Sequence, residues 1–191
     1  MKRTLRFLLL TLLAVVMTHS DSFAQLSGTK TIGGTSPDYT TFTAAISDLT
    51  TNGANGDVTF EVRSGTFSES INLGAFTGSG SYDIVFKGTG KTSTILTSAS
   101  SSGTVRMGGG DNITFRDMEI RNTLYAAIRV NASSDDCNFI NCVLKGRNIS
   151  TTSNTYAIVY FNNRTSQRMT FDSCDFRQGS YGIYSYGSSS V

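Results

Sequence analysis

Three nine-residue windows of this chain superimpose without gaps: residues 112–120 (NITFRDMEI), 136–144 (DCNFINCVL) and 168–176 (RMTFDSCDF). Phe115, Phe139 and Phe171 share one column, and Asp117, Asn141 and Ser173 a second. Met118, Cys142 and Cys174 form a third, and Ile120, Leu144 and Phe176 a fourth. Each window is followed by another strand-like stretch: residues 127–130, 157–160 and 182–184. A unit this short cannot bury its own apolar face and must stack on its neighbours. Stacking sets each inward side chain on its equivalent one rung away, so the columns keep their residue type. The polar column falls where the chain must bend, and a short hydrogen-bonding side chain suits such a turn. The expectation is an all-β fold, a right-handed parallel β-helix. A leucine-rich solenoid is the main competitor, but it requires a Leu spacing that this chain lacks.

Upstream of the repeats the period changes. Phe42, Ala45, Ile46 and Leu49 recur at i, i+3, i+4 and i+7, one face of an amphipathic helix that Asn52-Gly53 would stop. That apolar stripe predicts a short helix capping the core, preceded by a strand over residues 29–33. After Gly56 the period falls to two, with Val58, Phe60 and Val62 and then Ile84 and Phe86 alternating with other residues. Residues 64–65, 78–81 and 88–90 supply Gly/Ser turns between them. The organisation expected is therefore a leader over 1–24, a strand and capping helix over 25–57, and β-helix coils over 58–191. The last strand ends without a cap, so further coils are expected past Val191.

The leader follows from Lys2, Arg3 and Arg6 ahead of the apolar run from Phe7 to Met17, with Ser22-Phe23-Ala24 as the cleavage site. The run is short for a membrane span, and nothing after it is a candidate for insertion. Export to the cell surface or medium is the expected destination. Removing Lys2, Arg3, Arg6 and Asp21 takes the 16 basic and 14 acidic residues to 13 of each. The positive balance belongs to the leader, which removes the electrostatic case for a nucleic-acid partner. His19, the sole histidine, leaves with the leader. A mature chain without His has no Ser-His or Cys-His pair and no His-based zinc site, so no metal or cofactor is expected. Cys137, Cys142 and Cys174 are an odd set with the wrong spacing for zinc, and they read as buried free thiols.

The pattern resembles the pectin-lyase-like β-helix superfamily, and pectin methylesterases in particular. Residues 39–46 (YTTFTAAI) resemble that family's opening strand and helix, and residues 65–69 (GTFSE) its Gly-x-Tyr-x-Glu motif. Ala127-Ile128-Arg129-Val130 and Asn141-Cys142 resemble the stretch around its first catalytic Gln and the coil that follows. Carried over residue by residue, the first catalytic Gln falls at Leu124, the Gln-Asp pair at Asn148-Ile149, and the nucleophilic Asp near Tyr181. The resemblance thus implies the fold without the two carboxylates that ester hydrolysis needs. A lyase of the same superfamily would need clustered carboxylates for Ca²⁺ and an Arg base. Asp135, Asp136, Asp172 and Asp175, with Arg129 and Arg164, are the nearest groups, and they read as solvated turn and strand residues. No catalytic residue is therefore assigned.

One constellation points to binding. Tyr156, Tyr160, Tyr181, Tyr184 and Tyr186 gather on the last two rungs, where exposed rings could form a stacking surface for sugars. The expectation is an exported, non-catalytic, adhesin-like or scaffold β-helix whose partner is an extracellular polysaccharide or cell-surface glycan. The alternative is the front part of a polysaccharide lyase or related enzyme whose active site lies beyond Val191.

Overall fold

A computed structural model describes residues 24–162 and 166–186. The leader and its cleavage site fall outside them save for Ala24, as does Arg164. Among the described residues the chain winds five times, laying one strand on each of three parallel sheets per turn. Sheet A holds β1 (Leu26–Ile32), β2 (Ala54–Val62), β5 (Ile84–Lys87), β8 (Ile113–Arg116), β11 (Asn138–Ile140) and β14 (Thr170–Asp172). Sheet B holds β3 (Gly65–Ser68), β6 (Thr94–Ser98), β9 (Glu119–Asn122), β12 (Val143–Lys145) and β15 (Asp175–Arg177). Sheet C holds β4 (Ile71–Gly74), β7 (Val105–Gly108), β10 (Ile128–Val130), β13 (Val159–Asn162) and β16 (Ile183–Tyr186). This is a right-handed parallel β-helix, the hand that parallel crossovers adopt.

The register matches the columns. Phe139 pairs with Phe115 on one side and Phe171 on the other, and Leu144 with Ile120 and Phe176. The phenylalanine column runs further than the repeats indicate, because Phe60 and Phe86 join it. Ring centroids are 4.8, 4.9, 5.6 and 5.2 Å apart from Phe60 to Phe171, near the rung spacing. The bend between sheets A and B is made by Asp117, Asn141 and Ser173, all left-handed at φ of 57°, 52° and 54°. Asn and Asp tolerate that conformation better than most residues. Asn141 Nδ2 also donates to Asp117 Oδ1 at 2.7 Å. A second left-handed column, Asn112, Asp136 and Arg168, forms the bend into sheet A.

The capping helix α1 spans Phe42–Asn52 and buries Phe42, Ala45, Ile46 and Leu49. Thr41 Oγ1 accepts from Ala44 N, and Gly53 ends the helix at φ 75°. No acidic residue lies in its first turn, and Glu69 at the end of residues 65–69 supplies the charge from the next segment. Its two carboxylate oxygens accept from Phe42 N at 3.1 Å and Thr43 N at 2.8 Å. The strand ahead of the helix starts earlier than expected, at Leu26, because it pairs along β2.

The three thiols are free: Cys137 and Cys142 are buried and Cys174 half-buried. The expectation of buried thiols therefore holds for two of them. Cys174 sits on the last described rung, and among the described residues no strand covers it from beyond. The neighbouring Cys142 thiol, and then the positive charge of Lys91, hold the Cys174 thiol below the ordinary thiol range. Burial pushes Cys137 up to about 11, and Cys142 is also raised, first by its bond to Cys174 and then by burial. In reduced protein, Cys174, the half-buried thiol and the one whose pKa is lowered, should therefore take iodoacetamide first, with its labelling rising at a lower pH than that of Cys137 or Cys142. Mass mapping of the labelled cysteine as a function of time checks this. Equal labelling of all three thiols in folded protein would contradict it.

Candidate functional surface on sheet C and its corner

In a β-helix the inward side chains fill the core and the alternate ones stand outward in columns of their own. On sheet C the outward column is Asn72, Arg106, Arg129, Tyr160 and Tyr184, one residue per rung. Arg106 Nε donates to Asn72 Oδ1 at 2.8 Å. The Arg129 guanidinium lies 5.1 Å from the Tyr160 ring centre and also donates to Ser101 O. Tyr160 then stacks on Tyr184 at 5.8 Å, with 9° between planes. Tyr160 thus has one face toward Arg129 and the other toward Tyr184, and it offers solvent its edge and hydroxyl.

The remaining tyrosines divide. Tyr181 leans on Tyr184 at 5.7 Å and 42°, and its hydroxyl donates to Thr152 O. Tyr156 sits apart, stacked on Tyr125 at 5.9 Å with the Arg147 guanidinium 5.1 Å from its ring. Tyr186 is 59% exposed and Tyr181 41%. Four of the five candidates therefore divide between two separate stacks, Tyr156 in one and Tyr160, Tyr184 and Tyr181 in the other, and the freest aromatic surface belongs to Tyr181 and Tyr186 at the last rung.

Where sheet B turns into sheet C, a cleft of about 340 Å³ opens between Arg121, Lys145, Arg147, Asn148 and Gln178. Asn122 shapes this turn from inside: fully buried, it accepts from Leu124 N at 2.8 Å and Tyr125 N at 2.6 Å and donates to Ser100 O. Neither Asn122 nor the cations around it stood out in the sequence. Of the positions aligned with the methylesterase reacting groups, Asn148 lines the cleft, Leu124 and Tyr181 are exposed, and Ile149 is half-buried. Those four side chains bring an amide, two hydrocarbons and a phenol.

The carboxylates considered for a cation are engaged elsewhere. Asp135 accepts from Gln167 N, Asp136 pairs with Arg168, and Asp175 pairs with Lys91 and Arg177. Asp172 accepts from Ser173 Oγ. Lys91 reaches this far because residues 88–93 bulge between β5 and β6, and its Nζ donates to Ser173 O at 3.0 Å. Under that bulge lies a larger cleft, about 520 Å³, bordered by Glu61, Arg63, Lys87, Asp117 and Asn141.

No protein-family model matches the chain, and no curated protein matches it in sequence. Solved structures do match it in shape. A pectin methylesterase from carrot superimposes with a TM-score of 0.54 at 20% identity, over 80% of this chain and 54% of that one. A pectin methylesterase from Aspergillus niger superimposes with a TM-score of 0.58 at 17% identity, over 87% of this chain and 63% of that one. The chain thus spans less than two thirds of either esterase. With its three parallel sheets, its in-register columns and its helix over one end, this chain has the pectin-lyase-like β-helix fold.

Proposed function

We propose that this chain is an exported, non-catalytic β-helix that acts as a surface or adhesin-like scaffold and contacts polysaccharide through the tyrosines of its last rung. The observation that carries the reading is the outward column of sheet C, which ends in half-buried Tyr184 with exposed Tyr181 and Tyr186 on the same last rung. Tyrosine rings present rigid apolar area with a polar tip, suited to the mixed faces of a sugar. The proposal also draws on Leu124, Asn148, Ile149 and Tyr181 at the positions aligned with the methylesterase reacting groups. None of these is a carboxylate, and ester hydrolysis by that route needs a nucleophile and a proton donor. Export rests on the leader within residues 1–24.

Retention on immobilised polysaccharide tests the contact. Tyr184→Ala and Tyr186→Ala should each weaken retention by roughly fivefold, the equivalent of about 1 kcal/mol of ring contact. Unchanged retention in both variants refutes the tyrosine surface. A second reading has one observation in its favour: the chain spans 54% and 63% of the two esterases it matches. On that reading it is the front of a carbohydrate-active enzyme whose reacting groups lie after Val191. Ester hydrolysis, or unsaturated product formed from pectin or alginate with or without Ca²⁺, by residues 25–191 alone would overturn the non-catalytic proposal.

A further inference from the structure

The second outward column of sheet B carries Arg121, Lys145 and Arg177 on three consecutive rungs. Rungs are about 4.8 Å apart, and like charges set directly opposite one another are destabilising. The neighbouring column relieves two of them. Arg121 Nε meets Glu119 Oε1 at 2.5 Å, and Arg177 meets Asp175 Oδ2 at 3.1 Å. At the middle rung that column holds Val143, so Lys145 stands between two cations with no acid beside it. Among the described residues neither Lys145 nor Arg147 forms an ion pair. Both line the cleft of about 340 Å³ at the B–C corner, where Asn148 and Gln178 add amides and no carboxylate contributes to the wall.

We propose that this corner cleft is an oxyanion site that takes the carboxylate, sulfate or phosphate group of an extracellular ligand. Lys145 and Arg147 supply the charge, and the amides of Asn148 and Gln178 donate to the remaining oxygens. The anion meets Lys145 from the corner side, away from buried Val143, and supplies the negative charge that the middle rung lacks, so binding relieves a repulsion already built into the sheet. Bonds in which both partners are charged are the stronger kind, and a guanidinium matches two oxygens at once. The site does not depend on the tyrosine surface being a glycan contact.

Heteronuclear NMR titrations of the mature chain with sodium sulfate, sodium phosphate and sodium glucuronate test the proposal and separate the three sources. Saturable shifts are expected at the Gly146 and Arg147 amides for at least one anion. The affinity should fall as sodium chloride rises, and the tightest of the three names the group. Lys145→Gln and Arg147→Gln should each weaken binding about tenfold or more. Lys87→Gln, which removes an exposed cation at the other corner, should leave it unchanged. The proposal is overturned if no anion gives a saturable shift, or if Lys87→Gln weakens binding as much as Lys145→Gln does.

Discussion

Phe139→Ala should lower the unfolding free energy by about 4 kcal/mol, while Phe171→Ala, one rung further on in the same column, should cost about half as much. The Phe139 ring is fully buried, with Phe115 stacked on one face at 5.6 Å and 5° and Phe171 on the other at 5.2 Å and 8°. Truncation removes the transfer energy of the ring and leaves a gap. Two stacked contacts go with it, each worth about 0.5–1.5 kcal/mol. The gap cannot close, because β11 is held in parallel register to β8 and β14 by backbone bonds that fix the rung spacing. Phe171 is half-buried on the last described rung, with Phe139 on one face and the edge of Phe176 beside it, so its surroundings can relax. A solenoid's stability is approximately a sum of rungs and interfaces. Phe139→Ala should therefore also loosen β14 to β16 from the rest and broaden the transition. Guanidinium denaturation followed by circular dichroism and by tyrosine fluorescence measures both effects. Equal losses for the two variants would mean that the column is not one continuous stack.

The same stack shows how far the sequence could be read. Phe115, Phe139 and Phe171 were legible because the turn joining sheets A and B is equally short in the last three coils, so nine residues align without a gap. Phe60 and Phe86 belong to the same column, yet the chain runs two residues longer into sheet B after Phe60, and residues 88–93 bulge after Phe86, so neither aligns without a gap. The bend residues Asp117 and Asn141 were readable as polar turn positions. The matching bend at Asn112, Asp136 and Arg168 was hidden by Arg168, an unusual residue for a left-handed position that Asp136 holds through a two-point ion pair. The tyrosines were visible as a cluster, but their division into two stacks depends on which of them face outward on neighbouring rungs. The cations of sheet B are harder still. Arg121, Lys145 and Arg177 each stand one residue past an aligned window at the same spacing of 24 and 32 residues, but a column of cations carries no apolar signal of stacking, and which acids flank it depends on the register.

Gly88→Ala should cost about 3 kcal/mol although it adds a single methyl, whereas Gly74→Ala should be neutral or stabilising by about 0.5 kcal/mol. A Cβ at Gly88 would lie 2.3 Å from the carbonyl oxygen of Asp117 on the next rung, and 3.0 Å from the Cβ atoms of Met118 and Thr94. The obstacle is backbone, so no side-chain rotation relieves it. At Gly74 a Cβ meets nothing within 4 Å, and only the gain from a stiffer unfolded chain remains. The Asp117 carbonyl cannot retreat without loss, because it accepts from Gly90 N at 2.9 Å while the Asp117 side chain holds Asn141 at 2.7 Å. Burial pushes the Asp117 carboxyl up, but the bond from Asn141 and the pair with Arg116 outweigh it and leave the group below its usual range. Since the folded value is the lower one, Asp117 stabilises the protein above the unfolded carboxylate pKa of about 3.9 and loses that contribution as pH falls through the folded value. Displacing the bend should remove this contribution in advance. Gly88→Ala should then be weaker at pH 7 and lose less than the wild type between pH 5 and pH 2.5. Denaturation midpoints of both variants across that range decide it: a Gly88→Ala midpoint equal to that of Gly74→Ala at pH 7 would show that the corner has room the geometry denies.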